Sequence, residues 1–296
     1  MRVGVDIGGT KTEAVIVADD GSVVEQLRLV TGRGADAVVA TAVSALAGLS
    51  AQSGLREFSS IGVGIPGSVS KGVVSHAINL GLERLDLGAD LSARFGSDVH
   101  IENDVNAAAL GAFHLLGMSR TDSMAYLNLG TGLAAGIVLN GDVWRGARGT
   151  AGEIGHILVD PAGPLDLDGQ HGGLEVVASG SGISRQWGDS VASMFEAAAR
   201  GDVAAVEIRR RLFEGVASAI RILVLTVDVE HVVIGGGLSG LGDRLMGGVL
   251  GVLHGWEATS PLIRSLELPA RVQLLPPGSP VAALGAAHLG GMSWPK

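Results

Sequence analysis

One hairpin pattern occurs twice in this chain of 296 residues. In the first copy an apolar run stops at a Gly-Gly-Thr turn (residues 8–10), a second run returns, and Asp-Gly (20–21) reverses the chain again. In the second copy, about 121 residues later, Gly-Thr-Gly (130–132) and Asn-Gly (140–141) stand at the matching places. Asp-Gly and Asn-Gly favour tight turns between antiparallel strands, because their central residues need positive φ. The repeat therefore predicts two sets of three strands.

The two Gly-Thr tips also carry a chemical signal. Glycine beside threonine at a turn exposes backbone N–H groups and a hydroxyl to an incoming anion. Asp6 and Asn128 add a polar side chain at matched positions before each tip. Neither tip fits the Walker A loop or the Rossmann fingerprint, in which a glycine loop opens a helix. Ordinary hairpins in a glycine-rich sheet are the alternative, but two matched copies favour a polyphosphate clamp and hence nucleotide-dependent phosphoryl transfer.

The order of the other elements predicts an α/β fold. Periodicity and turn residues indicate strands at 61–65, 99–103 and 231–234, and helices at 35–50, 105–116, 183–199, 203–225, 240–254 and 281–289. A strand set followed by helices, and then the same order again, indicates two similar α/β halves with a cleft between them. We assign residues 1–108 to the first domain and residues 109–280 to the second. The C-terminal helix, 281–296, is a candidate last element of the first domain.

Ligands of such sheets collect at the carboxyl ends of the strands. Asp6, Gly67, Asn103, Gly130 and Gly235 all stand at predicted strand ends. Packing alone does not readily account for five polar or glycine residues at such positions. We therefore expect them to line the cleft.

Composition excludes several classes of function. The net charge is -9, and the only lysines are Lys11, Lys71 and Lys296, so no basic surface for nucleic acid is expected. Cysteine is absent, which excludes disulfides and thiolate metal sites. No signal segment is recognisable, and apolar stretches such as 37–49 and 220–227 are too short to span a bilayer. We expect a soluble cytoplasmic protein that does not contact membranes.

A group of polar residues fits the transfer of phosphate to an alcohol. Such a reaction needs an acceptor for the hydroxyl proton, and Asp104, beside Asn103 at a strand-to-helix junction, is the candidate base. A plain helix N-cap is the alternative role for Asp104. Glu153, His156 and Glu175 could bind the paired hydroxyls of a sugar. The alternatives are a helix-start charge for Glu175 and a packed histidine for His156.

Six segments together resemble the ROK family (repressors, open reading frames and kinases) of the actin/hexokinase/Hsp70 superfamily. In family order they are Val5-Asp-Ile-Gly-Gly-Thr-Lys, Gly64-Ile-Pro-Gly, Glu102-Asn-Asp-Val-Asn-Ala, Leu129-Gly-Thr-Gly, Gly152-Glu-Ile-Gly-His and Val233-Ile-Gly-Gly-Gly. The resemblance extends over nearly the whole chain and is closest to bacterial glucokinases and N-acetylhexosamine kinases. It implies two actin-like (ribonuclease H-like) α/β domains with a cleft between them.

The resemblance also implies site residues and cofactors. The positions that match the family's ATP site are Asp6, Gly8, Gly9, Thr10 and Lys11, then Gly130, Thr131 and Gly132, and finally Gly235 and Gly236 beside the adenosine. The positions that match its sugar site are Gly67, Asn79, Asn103, Asp104, Glu153, His156 and Glu175, with Asp104 as the catalytic base. ATP, Mg²⁺ and a homodimer are implied with them. The expected reaction is phosphorylation of the 6-hydroxyl of a hexose or N-acetylhexosamine.

The chain departs from the family at its zinc segment. Many members have Cys-x-Cys-Gly-x-x-Gly-Cys-x-Glu where this chain has Asp, Asp and Gly in place of the three cysteines, at positions 166, 168 and 173. His156, Asp166, Asp168 and His171 are a weak alternative metal site, because Asp and His can bind zinc. Solvated carboxylates in a glycine-rich loop are the preferred interpretation, so structural zinc is expected to be absent. Ser70 is a smaller departure, at a place where relatives often have Asp.

Two other functions compete with that of a kinase. A sugar-responsive repressor would need a DNA-binding segment before the first strand, and the sequence begins at that strand with a net charge of -9. A catalytically inert sugar-binding protein of the same family remains open. The sugar is also open, because it depends on loops around the 2-position, which we place at 68–82 and 140–152. ATP and polyphosphate both remain possible donors.

Overall fold

The computed structural model describes residues 1–166 and 169–290. By their contacts these residues form two compact units. Unit 1 comprises Met1–Asp122, Gly136–Ala151 and the chain from Gly278 onward. Unit 2 comprises Ser123–Ala135 and Gly152–Pro277. The chain therefore passes between the units more than once.

The strands follow the predicted order. They are β1 (Arg2–Ile7), β2 (Lys11–Val17), β3 (Val23–Val30), β4 (Ser60–Ile65), β5 (Ser68–Ser70), β6 (Val73–Ala77), β7 (Leu82–Leu85), β8 (Val99–Asn103), β9 (Met124–Leu129), β10 (Leu133–Leu139), β11 (Asp142–Val143), β12 (His231–Gly235) and β13 (Val272–Leu274). Both predicted three-strand sets are confirmed, as β1–β3 and β9–β11. The sequence did not predict the short strands β5–β7, which form an antiparallel sheet of their own.

The helices occupy the remaining segments. They are α1 (Ala35–Ser53), α2 (Leu87–Phe95), α3 (Asp104–Leu115), α4 (Leu174–Ala178), α5 (Gly180–Trp187), α6 (Val191–Ala199), α7 (Val203–Val227), α8 (Asp243–Thr259), α9 (Pro261–Ser265) and α10 (Val281–Leu289). The single helix predicted at 183–199 is two helices, because α5 ends at Gly188 in the left-handed region and Ser190 caps α6. Helix α8 begins at Asp243 and not at residue 240, because Gly237–Leu241 forms a 3₁₀ turn.

Unit 1 is built on a five-stranded sheet of order β3-β2-β1-β4-β8. Strand β1 pairs with β2 antiparallel, with Asp6 opposite Glu13, and with β4 in parallel, with Val5 opposite Val63. Strands β1, β4 and β8 are parallel, so their carboxyl ends lie at one edge of the sheet. Asp6 and Asn103 both lie at that edge, on β1 and β8, with β4 between those two strands.

Helices α3 and α10 pack on the sheet of unit 1, and their backbones approach each other closely. A Cβ at Gly111 would lie 1.9 Å from the carbonyl oxygen of Val281, and one at Gly285 would lie 1.7 Å from that of Ala107. Only glycine permits this approach. Because α3 packs on α10 well beyond residue 108, unit 1 extends past the predicted 1–108 division, and residues 136–151 join it.

Unit 2 contains the parallel strands β9, β12 and β13, with Val233 paired to Tyr126 and to Gln273. The full order of the second sheet is β11-β10-β9-β12-β13, and the boundary between the units passes through β10. The long helix α7 packs against α4, α6 and α8. It begins where the side chain of Asp202 accepts the N–H of Ala205, and it ends at Asp228 in the left-handed region.

Helix α1 is the one helix of the described chain that is long and apolar enough, by length and composition, to cross a membrane. It has 19 residues and so exceeds the apolar stretch that was predicted to be too short. Its buried residues, among them Val38, Leu46 and Leu49, belong to the core formed with the sheet of unit 1. The core helices of soluble proteins pass the same length and hydropathy test.

Candidate active site

The first Gly-Thr tip connects β1 to β2 in unit 1. The N–H of Gly8 donates to the carbonyl of Lys11 over 2.9 Å and closes the turn. Gly9 and Thr10 are exposed, and the ideal Cβ position of Gly9 lies 3.5 Å from the Cβ of Asn79. The tip therefore opens another strand, as predicted, and presents backbone beside one of the predicted sugar-site residues.

Asp6, immediately before this tip, lies in an electronegative environment. The pKa of Asp6 is raised to about 7, mainly by burial and then by the negative charges of Asp104 and Glu13, while Lys11 lowers it. Glu13 is itself bound by Arg28, with Nε 2.6 Å from its Oε1. The mutual repulsion of Asp6 and Asp104 indicates that unit 1 brings these two predicted site residues together. A bound cation would relieve that repulsion.

The junction between β8 and α3 holds the predicted base. Asn103, and not Asp104, is the N-cap: its Oδ1 accepts the N–H groups of Val105 (2.9 Å) and Asn106 (3.2 Å). Its Nδ2 donates to the carbonyl of Gly67 over 3.2 Å. Asp104 is the first residue of the helix, and its Oδ1 accepts the N–H of Val105 over 3.0 Å. The capping alternative for Asp104 is therefore wrong, because Asn103 fills that role.

Sequence reasoning missed two residues behind this junction. Glu102 is 4% exposed, and its carboxylate binds the side chain of Arg145. The sequence did carry a signal for Glu102: it is a glutamate in a strand whose pattern predicts burial, and a buried carboxylate needs a polar partner. Nothing in the sequence indicated which arginine supplies it.

The second Gly-Thr tip connects β9 to β10 and is held by the start of α5. The N–H of Gly180 donates to the carbonyl of Gly130 over 2.9 Å. The N–H and Oγ of Ser181 both donate to the carbonyl of Thr131, over 3.1 and 2.7 Å. The N–H of Gly130 donates to the carbonyl of Gly132 over 3.0 Å, so the first glycine again closes the turn. In both tips the N–H of the first glycine closes the turn, donating three residues ahead in the first tip and two residues ahead in the second.

Gly235 and Gly236 follow β12 and pack tightly against β9. A Cβ at Gly235 would lie 2.2 Å from the hydroxyl of Tyr126. Gly236 has φ of +80°, and its Cβ would lie 2.6 Å from Oδ1 of Asn128. Packing alone therefore requires glycine at both positions, whatever ligand they contact. Asn128, the second copy's counterpart of Asp6, lies beside them.

The remaining predicted sugar-site residues come together in unit 2. Glu153 precedes the short turn Ile154–His156 and His156 is its last residue, and both side chains are exposed. A Cβ at Gly155 would lie 2.2 Å from the carbonyl of Leu133 and 3.3 Å from the Cβ of Glu175, so glycine lets this turn pack there. Oε2 of Glu175 accepts the N–H of Leu133 over 3.0 Å. Glu175 therefore connects the predicted sugar-binding turn to the second Gly-Thr tip.

Hydrogen bonds hold the segment in which family members carry cysteines. Nδ1 of His171 lies 2.8 Å from the carbonyl oxygen of Gly163 and donates to it. Oδ1 of Asp166 accepts the N–H of Gln170 over 2.7 Å. Asp168 lies outside the described residues. Among the residues that are described, no group of three or more His, Cys, Asp or Glu side chains could hold a metal, so His156, Asp166 and His171 do not form one.

Comparison with known proteins identifies relatives along almost the whole chain. The model of the ROK family matches residues 2–250. The chain is 31% identical over 270 residues to a glucokinase from Thermotoga maritima, covering 83% of this chain and 84% of that protein. It is 30% identical over 294 residues to an N-acetylmannosamine kinase from Haemophilus influenzae, covering 97% and 94%. These similarities support sugar phosphorylation.

A solved structure has the same fold. The ROK family glucokinase from Streptomyces griseus, in complex with glucose and AMPPNP, superposes with a TM-score of 0.76 at 28% identity, covering 97% of this chain and 98% of that one. The actin-like two-domain α/β fold predicted from the sequence is thereby confirmed. The chain belongs to the ROK family.

Proposed function

We propose that the protein transfers the terminal phosphate of ATP to the 6-hydroxyl of a hexose or N-acetylhexosamine. Family membership and relatives that are named glucokinase and N-acetylmannosamine kinase support a sugar kinase. The observation that carries the proposal is that Asn103 caps α3 and the Asp104 carboxylate follows it directly at the end of β8, where its charge interacts with that of Asp6. A carboxylate at a strand end, beside a second carboxylate on β1, suits removal of the proton from the hydroxyl that accepts the phosphoryl group.

Asp104 is the proposed general base, which takes the proton of the sugar hydroxyl as the oxygen attacks the γ-phosphorus. Gly67, Asn79, Asn103, Glu153, His156 and Glu175 are the proposed sugar-binding residues. Carboxylates accept hydrogen bonds from adjacent hydroxyls, while amide and imidazole N–H groups donate to hydroxyl oxygens. Such binding fixes the reacting hydroxyl next to the base, and this positioning supplies much of the rate enhancement in phosphoryl transfer.

The two Gly-Thr tips are the proposed phosphate contacts. Their first glycines already donate within the turns, so the N–H groups of Gly9, Thr10, Thr131 and Gly132, with the two threonine hydroxyls, would face the phosphates. Lys11 adds the positive charge, and Gly235 and Gly236 are proposed to lie beside the adenosine. Backbone N–H groups in such turns favour anions because their dipoles are fixed in advance.

Mg²⁺ fits the proposed phosphate site of unit 1. Asp6 offers hard oxygen ligands, and its pKa is raised first by burial and then by the negative charges of Asp104 and Glu13, whose repulsion a divalent cation would offset. Bound Mg²⁺ would neutralise charge on the transferred phosphate. A homodimer, which comes from the family resemblance, and a cytoplasmic location, which comes from the absence of a recognisable signal segment, accompany this proposal.

Coupled detection of ADP tests the proposal directly. The purified protein is supplied with glucose, N-acetylglucosamine, mannose or N-acetylmannosamine, with ATP or polyphosphate as donor, and the product is identified by mass and NMR. We expect a 6-phosphate of at least one of these sugars with ATP. Tight sugar binding by calorimetry without any phosphorylated product would instead support the catalytically inert sugar-binding protein. A product formed only from polyphosphate would contradict the proposed donor.

A further inference from the structure

Both oxygens of the buried Glu102 carboxylate bind polar groups next to the predicted base. Oε1 accepts the N–H of Asn103 over 2.9 Å and Nδ2 of Asn106 over 3.0 Å. Oε2 accepts Nε of Arg145 over 2.7 Å and lies 2.6 Å from its Nη2. The Arg145 side chain is 29% exposed, so the ion pair lies largely away from water. Two separate segments of unit 1 therefore meet at this carboxylate.

The contacts of Glu102 immobilise the residue that precedes Asp104. Glu102 accepts the backbone N–H of Asn103, and the Asn103 side chain caps α3 and donates to Gly67. Glu102 also holds the side chain of Asn106, one turn into the helix, through Nδ2. The start of α3 is thus held from the strand side and from the helix side at once. Asp104 lies between these two fixed points.

Stability alone is a weak explanation for this ion pair. Removing two charges from water costs about as much as their attraction returns, so buried pairs often add little to folding stability. Orientation is the alternative, because a catalytic group that is misplaced by about 1 Å can lose roughly a hundredfold in rate. The location of the pair, one residue from the predicted base, favours orientation.

We propose that the Glu102–Arg145 ion pair is a positioning device for Asp104. Arg145 holds the Glu102 carboxylate, Glu102 holds the Asn103 N–H and the Asn106 side chain, and these contacts fix the direction of the Asp104 carboxylate. Neither residue is proposed to touch substrate. The inference rests on the proposed function, which makes Asp104 the base.

Three variants and one matched control separate positioning from stability. Arg145→Met removes the charge and keeps the aliphatic stem, while Arg145→Lys restores a charge. The double variant Glu102→Gln/Arg145→Met leaves no unpaired buried charge, and the glutamine oxygen can still accept the Asn103 N–H. Arg120→Met is the control, because Arg120 pairs with Asp142 at 3.6 Å with both side chains exposed.

Two readouts are taken on the full-length protein: kcat and KM with the sugar that the wild type phosphorylates, and amide hydrogen exchange at residues 103–106. For Arg145→Met we expect kcat to fall by about 10–100-fold with sugar KM changed less than about threefold. Exchange at residues 103–106 should accelerate by at least about tenfold. The lysine variant should recover most of both losses. The double variant has no unpaired buried charge but also no ion pair, so it should keep both losses, and Arg120→Met should match the wild type.

Each outcome decides the proposal. Unchanged exchange at residues 103–106 in Arg145→Met overturns it, whatever the activity. Faster exchange with unchanged kcat overturns it as well, because the junction would then be loosened without consequence for the base. A double variant with wild-type kcat and exchange also counts against it, because the loss in Arg145→Met would then come from an unpaired buried charge and not from the missing ion pair. If the wild type phosphorylates no sugar, the proposed function fails, while the exchange data still decide whether the ion pair fixes the junction. If Arg145→Met does not fold, the lysine and double variants carry the same comparison.

Discussion

Oε2 of Glu175 accepts the backbone N–H of Leu133 over 3.0 Å, immediately after the second Gly-Thr tip. Glu175 is also a proposed sugar-binding residue, so one of its oxygens binds the tip that is proposed to contact the phosphates. A Cβ at Gly132 would lie 2.6 Å from the same oxygen. Any change at that glycine is therefore transmitted to the carboxylate that is proposed to bind sugar.

This contact predicts different effects at the two glycines of the tip. Gly132→Ala should displace the Glu175 carboxylate and raise KM for both sugar and ATP, each by about tenfold. Gly130→Val should raise KM mainly for ATP, because a Cβ there meets only Asn128, at an ordinary distance of 3.6 Å. Steady-state kinetics with each substrate varied in turn measure the difference.

Thermal unfolding is the control for both glycine variants. Glu175 Oε2 is the end of a flexible side chain, so Gly132→Ala should keep a melting temperature within a few degrees of the wild type. Equal effects of Gly132→Ala and Gly130→Val on the two KM values would mean that Glu175 does not link the tip to the sugar.

The raised pKa of Asp6 predicts a pH-dependent stability. The folded protein keeps this proton up to about pH 7, whereas an unfolded chain loses it near about pH 4. The folded state therefore binds more protons between these values, and this contribution to stability falls as pH rises through the window. Asp6→Asn removes the titration, so its stability relative to wild type should increase by roughly 1–3 kcal/mol from pH 4.5 to 7.5.

Denaturant unfolding in buffers free of divalent cations measures this difference. Asp19→Asn, which removes an exposed carboxylate of the same unit, controls for the loss of one negative charge. A stability difference between Asp6→Asn and wild type that stays constant across the pH range would show that Asp6 is not held protonated.

The altered zinc segment predicts a protein that needs no zinc. His171 donates to Gly163, and Asp166 accepts the N–H of Gln170, so hydrogen bonds close the described part of the segment. Carboxylates there would suit Mg²⁺ or Ca²⁺ at least as well as zinc. We expect the purified protein to contain far less than one zinc per chain by elemental analysis. It should keep its activity in a zinc chelator once Mg²⁺ is resupplied.

One result would overturn this expectation. About one tightly bound zinc per chain, lost together with activity in His156→Ala, would show that His156 and the neighbouring carboxylates have retained a metal site. Zinc bound equally by His156→Ala and by wild type would place the metal elsewhere.

Local patterns were sufficient to predict much of the fold. Glycine turns and the positions of Asp-Gly and Asn-Gly gave both three-strand sets, because such turns are determined by a few adjacent residues. Helix α10 was predicted with the bounds that it has, Val281–Leu289. The break at Gly188 between α5 and α6 was missed, although Gly-Asp-Ser is a turn-like sequence, because the apolar pattern continues on both sides.

Contacts between distant residues could not be predicted from one sequence. Glu102 binds an arginine 43 positions away, and Glu175 binds a backbone N–H 42 positions away. Hydrophobic periodicity carries no signal for such pairs, because it reports only which side of an element is buried. The identity of the cap was missed for a related reason: both Asn103 and Asp104 suit an N-cap, and only the backbone geometry decides between them.

The most direct test of the account is the turnover number of Asp104→Asn. Asparagine keeps the size and the hydrogen bonding of the side chain but cannot accept the proton, so kcat should fall by on the order of 10²–10⁴ with little change in sugar affinity. Asp86→Asn is the matched control, because Asp86 caps α2 and its loss of charge should leave kcat unchanged. An Asp104→Asn enzyme with near-normal kcat would contradict the assignment of Asp104 as the base.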